Sequence, residues 1–335
     1  MNSAPFKGVN LGGWLVLEKW MTPSLFEGRD AKNEYELVQS KGGKAVLEQH
    51  HTTFMTEADF MWLNDHNINA VRIPIGYWIF GDESPYIGAI EKLDWAIMMG
   101  EKYNIKVLID LHGAPGAQNA AGHSGSGRPD IPRWLDDPDK QERTIRVLER
   151  LAERYFDRPI VWGIELVNEP LADKFGFRLI RFYRRAYKRL LRVARPGLYI
   201  VFSDGFKPLL LTGALWKRNK LPVAMDCHLY QCFGEHDRTL TVDEHLVRAT
   251  QRRWLIRFLQ LWQPVIIGEW SGVLPWSLQK NMSQSDRERM RNQFITRQRM
   301  AYADAVGWYY WNYKTENKSG WNFRSIAETD PEVLQ

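Results

Sequence analysis

Glu169 and Glu269 each close an apolar run, in VWGIELVNEP and PVIIGEW. A buried carboxylate is costly unless it is paired, so packing alone gives little reason to end such a run on one. Two carboxylates brought face to face suit glycoside hydrolysis, in which one carboxylic acid protonates the leaving oxygen and the other attacks the anomeric carbon. A retaining enzyme needs them roughly 5–5.5 Å apart and an inverting one roughly 6.5–9.5 Å, a distance that a sequence does not measure. Arg72 and Tyr230 are the donors expected to keep Glu269 ionised, as a nucleophile requires. Asn168, beside Glu169, is placed to bond a sugar hydroxyl. His112 and His228 would complete a wall of donors around one sugar ring, with Trp311 as its floor. Taken singly, the histidines also read as satisfied core residues and Arg72 as a structural ion-pair partner. Glu165 and Asp226 lie deeper in their runs and are expected to bond internally. A general acid keeps its proton near neutral pH, so Glu169 is expected to have a raised pKa.

These residues need elements that converge. Eight strand-like runs, FKGVNLG, INAVRIPI, IKVLIDLH, IVWGIELVNE, LYIVFSD, VAMDCHLY, PVIIGEW and AVGWYYWNY, alternate with helical patterns such as KAVLEQHHTTFMTEADFMWLNDH and QERTIRVLERLAERY. Strands apolar on both faces that alternate with helices argue for a parallel sheet of the α/β class. Eight such units predict a (β/α)8 TIM barrel, a single catalytic domain over residues 1–335. A doubly wound open sheet is the alternative, but no G-x-G-x-x-G follows a strand. In a barrel the strand ends meet on one face, which would gather Arg72, Asp110 with His112, Asn168 with Glu169, Asp204, His228 with Tyr230, Glu269 and Trp311. The Gly-rich loop GAPGAQNAAGHSGSGRPDIP leaves the third strand on that face.

Composition narrows the function classes. The 335 residues are 44% hydrophobic and 25% charged, enough for a sizeable core. The 15 tryptophans exceed ordinary usage and suit stacking on flat ligands. No run approaches the ~20 apolar residues of a membrane span, and MNSAPFKGVN has no signal-peptide core. The protein is therefore expected in the cytoplasm if Met1 is native, and otherwise secreted with its signal peptide removed. Cys227 and Cys232 form neither a zinc pattern nor a disulfide framework, and no cofactor or metal is expected. His50 and His51 are adjacent, and His112 and His228 lack the context of a metal hydrolase. GHSGSG misses the serine-nucleophile elbow. The net charge is +5, with the basic residues concentrated in 178–195. Apolar residues recur there at helical spacing, so the segment reads as a helix with a solvated basic face, the alternative being weak contact with an anionic surface. No motif points to nucleic acid.

Together, GVNLGGWLVLEKWMTPSLFEG, NAVRIPIGYW, DLHGAPGAQNA, LVNEP, CHLYQCF and IIGEWSG resemble glycoside hydrolase family 5, most of all its exo-β-1,3-glucanase branch. The matches run in order over nearly the whole chain. The resemblance implies a retaining β-glucoside hydrolase acting on β-glucans through a glycosyl-enzyme, with Glu169 as acid/base and Glu269 as nucleophile. It implies that Arg72, His112, Asn168, His228, Tyr230 and Trp311 surround the nonreducing sugar, that Glu18 binds its hydroxyls, and that Phe233 is half of an aromatic clamp on the next sugar. The chain departs from the branch at Ala121, where the other half of the clamp would fall, and at Lys19, where proline is usual. Trp78, Trp134, Trp276 and Trp321 are the candidates for a replacement platform. Transglycosylation and endo action share the same catalytic residues and stay open, as does a catalytically silent glycan-binding barrel.

Overall fold

All eight strands run parallel and close on themselves in sequence order. They are β1 (Phe6–Asn10), β2 (Ala70–Gly76), β3 (Lys106–Gly113), β4 (Val161–Glu165), β5 (Tyr199–Ser203), β6 (Val223–His228), β7 (Val265–Trp270) and β8 (Gly307–Tyr310). β8 pairs back onto β1, Phe6 against Gly307, so the first and last strands share one seam. The chain thus forms the expected (β/α)8 barrel. The computed structural model describes residues 5–127, 130–215 and 220–334.

Side chains alternate across each strand, and this alternation builds two cores. Val71, Ile73, Val107, Ile109, Ile200 and Ile267 face outward and meet the helices. Ala70, Leu108, Trp162, Val201, Ala224, Ile266 and Tyr309 fill the barrel as an apolar plug. Two steps further along β2, β3 and β6 the same inward face carries Arg72, Asp110 and Asp226, all fully buried. The apolar plug therefore supports an ionic layer, and that layer supports the C-terminal mouth.

The helices start where capping chemistry puts them. The helix Pro138–Arg154 opens with Pro138 in its first turn, while Asp137 accepts the N–H groups of Asp139 and Lys140. The long pattern from Lys44 to His66 is two helices, Gly43–Thr53 and Glu57–Asp65, because Thr56 and Asp59 form a capping box that begins a second one. The basic helix Phe177–Val193 buries Leu179, Phe182, Tyr183, Ala186, Tyr187 and Leu190. Its basic face is only partly solvated. Arg178 pairs with Asp136, Arg185 with Glu142, and Arg189 with Glu142 and Glu149.

Local departures from regular pairing aim the mouth, among them one on β3, where Ile75 opposes Leu111 but Gly76 opposes Gly113, leaving His112 as an extra residue. β4 carries one extra residue at Trp162, where Val107 opposes Val161 but Leu108 opposes Gly163. β7 carries an irregularity between Ile267 and Trp270. Gly268 donates its N–H to Asp226 Oδ1 at 2.6 Å, while Glu269 reaches Arg72 at 3.1 Å, so both neighbours serve the interior. A Cβ on Gly268 would lie 1.9 Å from Asp226 Oδ2, so only glycine permits this approach.

Candidate active site

Arg72 is the hub of the ionic layer. Its Nε donates to Glu165 Oε2 at 2.9 Å, one terminal nitrogen to Asn10 Oδ1 at 2.9 Å and Glu269 Oε1 at 3.1 Å, and the other to Asn168 Oδ1 at 2.8 Å. Asp110 lies 3.1 Å from the same guanidinium. One cation cannot neutralise so many buried carboxylates. Burial accordingly pushes Asp110 up to about 7 and Glu165 well above its ordinary range, against the pull of Arg72. Asp226 is also disfavoured as an anion by burial, but its neighbours His228 and Arg72 and the Gly268 N–H hold it below the usual range. The expectation that Glu165 and Asp226 bond internally therefore holds, and Arg72 is both a structural hub and a ligand of Glu269.

β4 ends at Glu165, earlier than expected. Leu166 still donates to Val201 O, and Asn168 donates to Leu111 O at 3.0 Å. Glu169 then turns into the left-handed region with φ 43°, a conformation that costs a non-glycine residue of order 1 kcal/mol. Asn119 offsets this by donating to the Glu169 carbonyl at 3.0 Å, so the third loop holds the fourth strand's tip. Pro170 follows and ends the pairing.

The two glutamates and His228 form one cluster, in which an oxygen of Glu169, an oxygen of Glu269 and a ring nitrogen of His228 lie within 4.8 Å of one another. His228 Nδ1 is 2.6 Å from Glu169 Oε1 and 3.4 Å from Glu269 Oε2. Tyr230 donates its hydroxyl to Glu269 Oε2 at 2.8 Å. Burial opposes the charge on His228, but Glu269, Asp226 and Glu169 outweigh it and raise the imidazole well above its ordinary value. Burial likewise opposes Glu169, yet the charge and hydrogen bond of His228 pull it down to about 2. Burial pushes Glu269 up to about 8, with the charge of Glu169 adding to it and His228, Arg72 and Tyr230 opposing. The raised pKa expected of Glu169 is thus found on its partner in the free site. The cause is a direct His228–Glu169 contact that the expectation did not include. Near neutral pH the two carboxyls hold one proton between them, the number an acid/nucleophile pair needs.

A cavity of about 680 Å³ opens over this cluster, lined by Glu18, Trp20, His112, His123, Glu169, Glu269 and a set of aromatic rings. Trp311 is nearly buried and stacks on His112, with centroids 5.4 Å apart and planes 9° apart. His112 Nδ1 bonds Asp110 Oδ2 at 2.7 Å. His112 Nε2 and Asn168 Nδ2 are buried without a partner among the described residues, which suits hydroxyl-bearing ligands. Glu18 lines the cavity and accepts from Trp20 Nε1 at 2.8 Å, and burial raises its pKa. Phe233 is exposed at the mouth and stacks on Trp321, centroids 6.0 Å apart.

Glu18, His112, Glu169, Tyr230, Phe233, Glu269 and Trp311 therefore border this cavity, and Arg72, Asn168 and His228 belong to the layer beneath it; Asp204 lines neither and is buried, accepting the Phe206 N–H at 2.8 Å. The four tryptophans proposed as a platform divide. Trp321 lines the cavity, and the exposed Trp276 lines an adjoining groove that shares Phe233 and Trp321. Trp78 and Trp134 are buried, the first bonded to Glu34 and stacked on Tyr86, the second bonded to Thr144, so neither can meet a ligand. Trp20, His123 and Phe206 also line the cavity and were not anticipated. His123 sits 3.7 Å from Glu169 Oε2, its Nε2 facing the Asn119 amide at 2.8 Å. Its only signal in the sequence was membership of the long third loop. Glu18, His112 and His123 form a second cluster with metal-ligand spacing, as do Glu165, Asp226 and His228. In the Glu169–His228–Glu269 cluster, however, hydrogen bonds already take up the facing carboxylate oxygens, and the Arg72 cation lies beside the carboxylates of both clusters that contain His228, which disfavours a second cation there.

A family model described as Cellulase (glycosyl hydrolase family 5) matches residues 32–317. A probable glucan 1,3-beta-glucosidase A of Aspergillus fumigatus is 35% identical over 363 residues, spanning 96% of this chain and 85% of that protein. A glucan 1,3-beta-glucosidase of Schwanniomyces occidentalis is 32% identical over 377 residues, spanning 97% and 86%. Among solved structures, rutinosidase from Aspergillus niger superposes with a TM-score of 0.83 at 20% identity, covering 100% of this chain and 99% of that one. Thermotoga maritima Cel5A in complex with cellobiose gives 0.63 at 15% identity, covering 100% and 98%. At these identities the structural likeness speaks for the fold.

Proposed function

The chain belongs to glycosyl hydrolase family 5, and from that premise we propose that it is a retaining β-glucosidase that removes terminal glucose from β-1,3-glucans. The observation that carries this reading is the closeness of Glu169 and Glu269, whose nearest oxygens lie within 4.8 Å. As a nearest-oxygen distance, this sits with the short carboxyl separation of retaining enzymes rather than the long one of inverting enzymes, and it suits direct attack. Glu269 is the nucleophile, held by Arg72 and Tyr230, and Glu169 is the acid/base. The names of the relatives support β-1,3-glucan as the substrate.

The free site holds its one carboxyl proton on Glu269, so the proton must move before chemistry. His228 offers the path. Its Nδ1 passes a proton to Glu169 and recovers one from Glu269, which leaves Glu169 neutral, Glu269 ionised and the imidazole charged as before. Substrate favours this state because positive charge develops at the anomeric carbon beside Glu269 and the glycosidic oxygen takes the proton from Glu169. The sugar is then bonded to Glu269, and Glu169 deprotonates the water that releases it with retained configuration. The unpartnered His112 Nε2 and Asn168 Nδ2, with Glu18, bind its hydroxyls, and Trp311 packs against its face.

Transfer to a second sugar is the competing outcome, favoured by the Phe233–Trp321 stack at the mouth, where an acceptor can lie. A product time course on laminari- and cello-oligosaccharides, with the first anomer read by NMR, tests both. Single β-glucose units from the β-1,3 series are expected. Longer products would favour transfer, and an α-anomer or release of internal fragments would overturn the exo-retaining reading.

A further inference from the structure

Beside the cavity the barrel carries a rim of large apolar side chains turned to solvent. Leu171, Phe175 and Phe177 come from the loop and helix start after β4, and Phe206, Leu209 and Leu210 from the segment after β5, with Phe177 70% and Leu209 65% exposed. The two segments are one surface. Lys207 Nζ donates to the carbonyls of Ala172 and Asp173, and a Cβ on Gly176 would lie 3.3 Å from Leu210 Cδ2. Phe206 belongs to both rim and cavity wall, so the apolar surface runs into the mouth. So contiguous an exposed apolar surface marks a binding face rather than scattered surface leucines.

The charge next to it indicates what that face meets. Lys174 lies over the Phe175 ring, and the helix that begins at Phe177 leads down from the rim. Arg178, Arg185 and Arg189 are spent on carboxylates of neighbouring segments. Arg181, Arg184, Lys188 and Arg192 follow at helical spacing and have no carboxylate within ion-pair distance among the described residues, Arg184 donating instead to the Ala214 carbonyl. An apolar edge joined to an uncompensated cationic stripe is the pairing that holds a protein on an anionic lipid interface, where neither signal alone suffices.

We propose that this rim docks the protein on an anionic lipid surface, with the cavity mouth beside that surface. The proposal does not depend on the β-glucosidase reading, because docking requires no turnover. The test is co-sedimentation of the full chain with vesicles of phosphatidylcholine alone and with roughly a third phosphatidylserine. Binding to the anionic vesicles, weakened by salt, is expected. The triple variant Phe175→Ser, Phe177→Ser, Leu209→Ser should lose about tenfold or more in partition while cleaving a soluble aryl β-glucoside at the unaltered rate. The charge variant Lys174→Glu, Arg181→Glu should lose binding to the anionic vesicles and leaves the apolar rim intact. Failure of the unaltered protein to bind either vesicle overturns the proposal. So does unchanged partition of both variants, or concentration-dependent dimerisation through the rim without lipid binding.

Discussion

His228 decides the proton balance of the site, because its Nδ1 touches Glu169 at 2.6 Å and faces Glu269 at 3.4 Å. The pair of carboxyls titrates as a unit, so the pH–rate profile should report their shared proton. With Glu269 raised to about 8, kcat/KM for a soluble aryl β-glucoside should fall as pH rises through that value. Replacing His228 with Asn removes the cation that holds Glu169 low, so the acid limb should move upward; an unmoved limb would count against the contact. Glu169→Gln should slow cleavage of an alkyl glucoside by about 10²–10⁴-fold, with much less effect on forming the glycosyl-enzyme from a dinitrophenyl glucoside, whose leaving group needs no proton. Azide should rescue the variant by trapping that intermediate as β-glucosyl azide. Glu269→Ala should leave neither activity, and no azide-dependent β product. The glutamates were legible in sequence because each carboxylate ends an apolar run. The His228 bridge was not, since strand-end position says which face a side chain reaches but not which neighbour it touches. His123 and Trp20 were hidden for a related reason, the first lying in the short 3-10 helix Gly122–Ser124 and the second in a turn, both too short to show a period.

Among elements, the strands were easy to read and their ends were not. Parallel barrel strands are buried on both faces, so they appear as apolar runs whatever their register. The extra residue at Trp162 and the irregularity around Gly268 break the simple alternation, and no residue type announces them. The break between the helices Gly43–Thr53 and Glu57–Asp65 did leave a sign, the Thr56 and Asp59 capping pair, which the continuous apolar pattern masked. The ionic layer shows what elements must supply together: Arg72 from β2 joins carboxylates from β3, β4 and β7. Arg72→Met would leave these groups without their cation and should cost about 3–5 kcal/mol of stability, read from urea denaturation. Arg72→Lys keeps the charge but loses the fork that reaches Glu165, Asn10, Glu269 and Asn168 at once. It should lose less stability than the Met variant and still cut kcat, which separates orientation of Glu269 from support of the fold.

At the scale of the molecule, burial sets how stability follows pH. Burial raises Glu34, Asp110 and Asp204 to about 7 and Glu269 to about 8, with hydrogen bonds and nearby cations opposing it only in part. Each binds its proton more tightly folded than unfolded, so its contribution is full at low pH and is lost as pH rises through the folded value. His50, His51, His112 and His123 act the other way. Burial holds them neutral and lowers their pKa values, so their contribution grows until pH passes the ordinary histidine value of about 6.5. Depressed carboxyls such as Asp59 and Asp226 are ionised in both states by about pH 5 and add no slope above it. Below about pH 6.5 the two opposing sets largely cancel; above it only the raised carboxyls and the raised His228 still titrate, all with the same sign. The thermal midpoint should therefore be nearly level from about pH 5 to 6.5 and fall by several degrees toward pH 8, a loss on the order of 3 kcal/mol. Calorimetry across that range checks it. Glu34→Gln, remote from the two catalytic candidates, should flatten part of the fall. A midpoint that instead climbed toward pH 8 would mean that the buried carboxyls are ionised in the folded barrel, and the one-proton state of the Glu169–Glu269 pair would fall with that assumption.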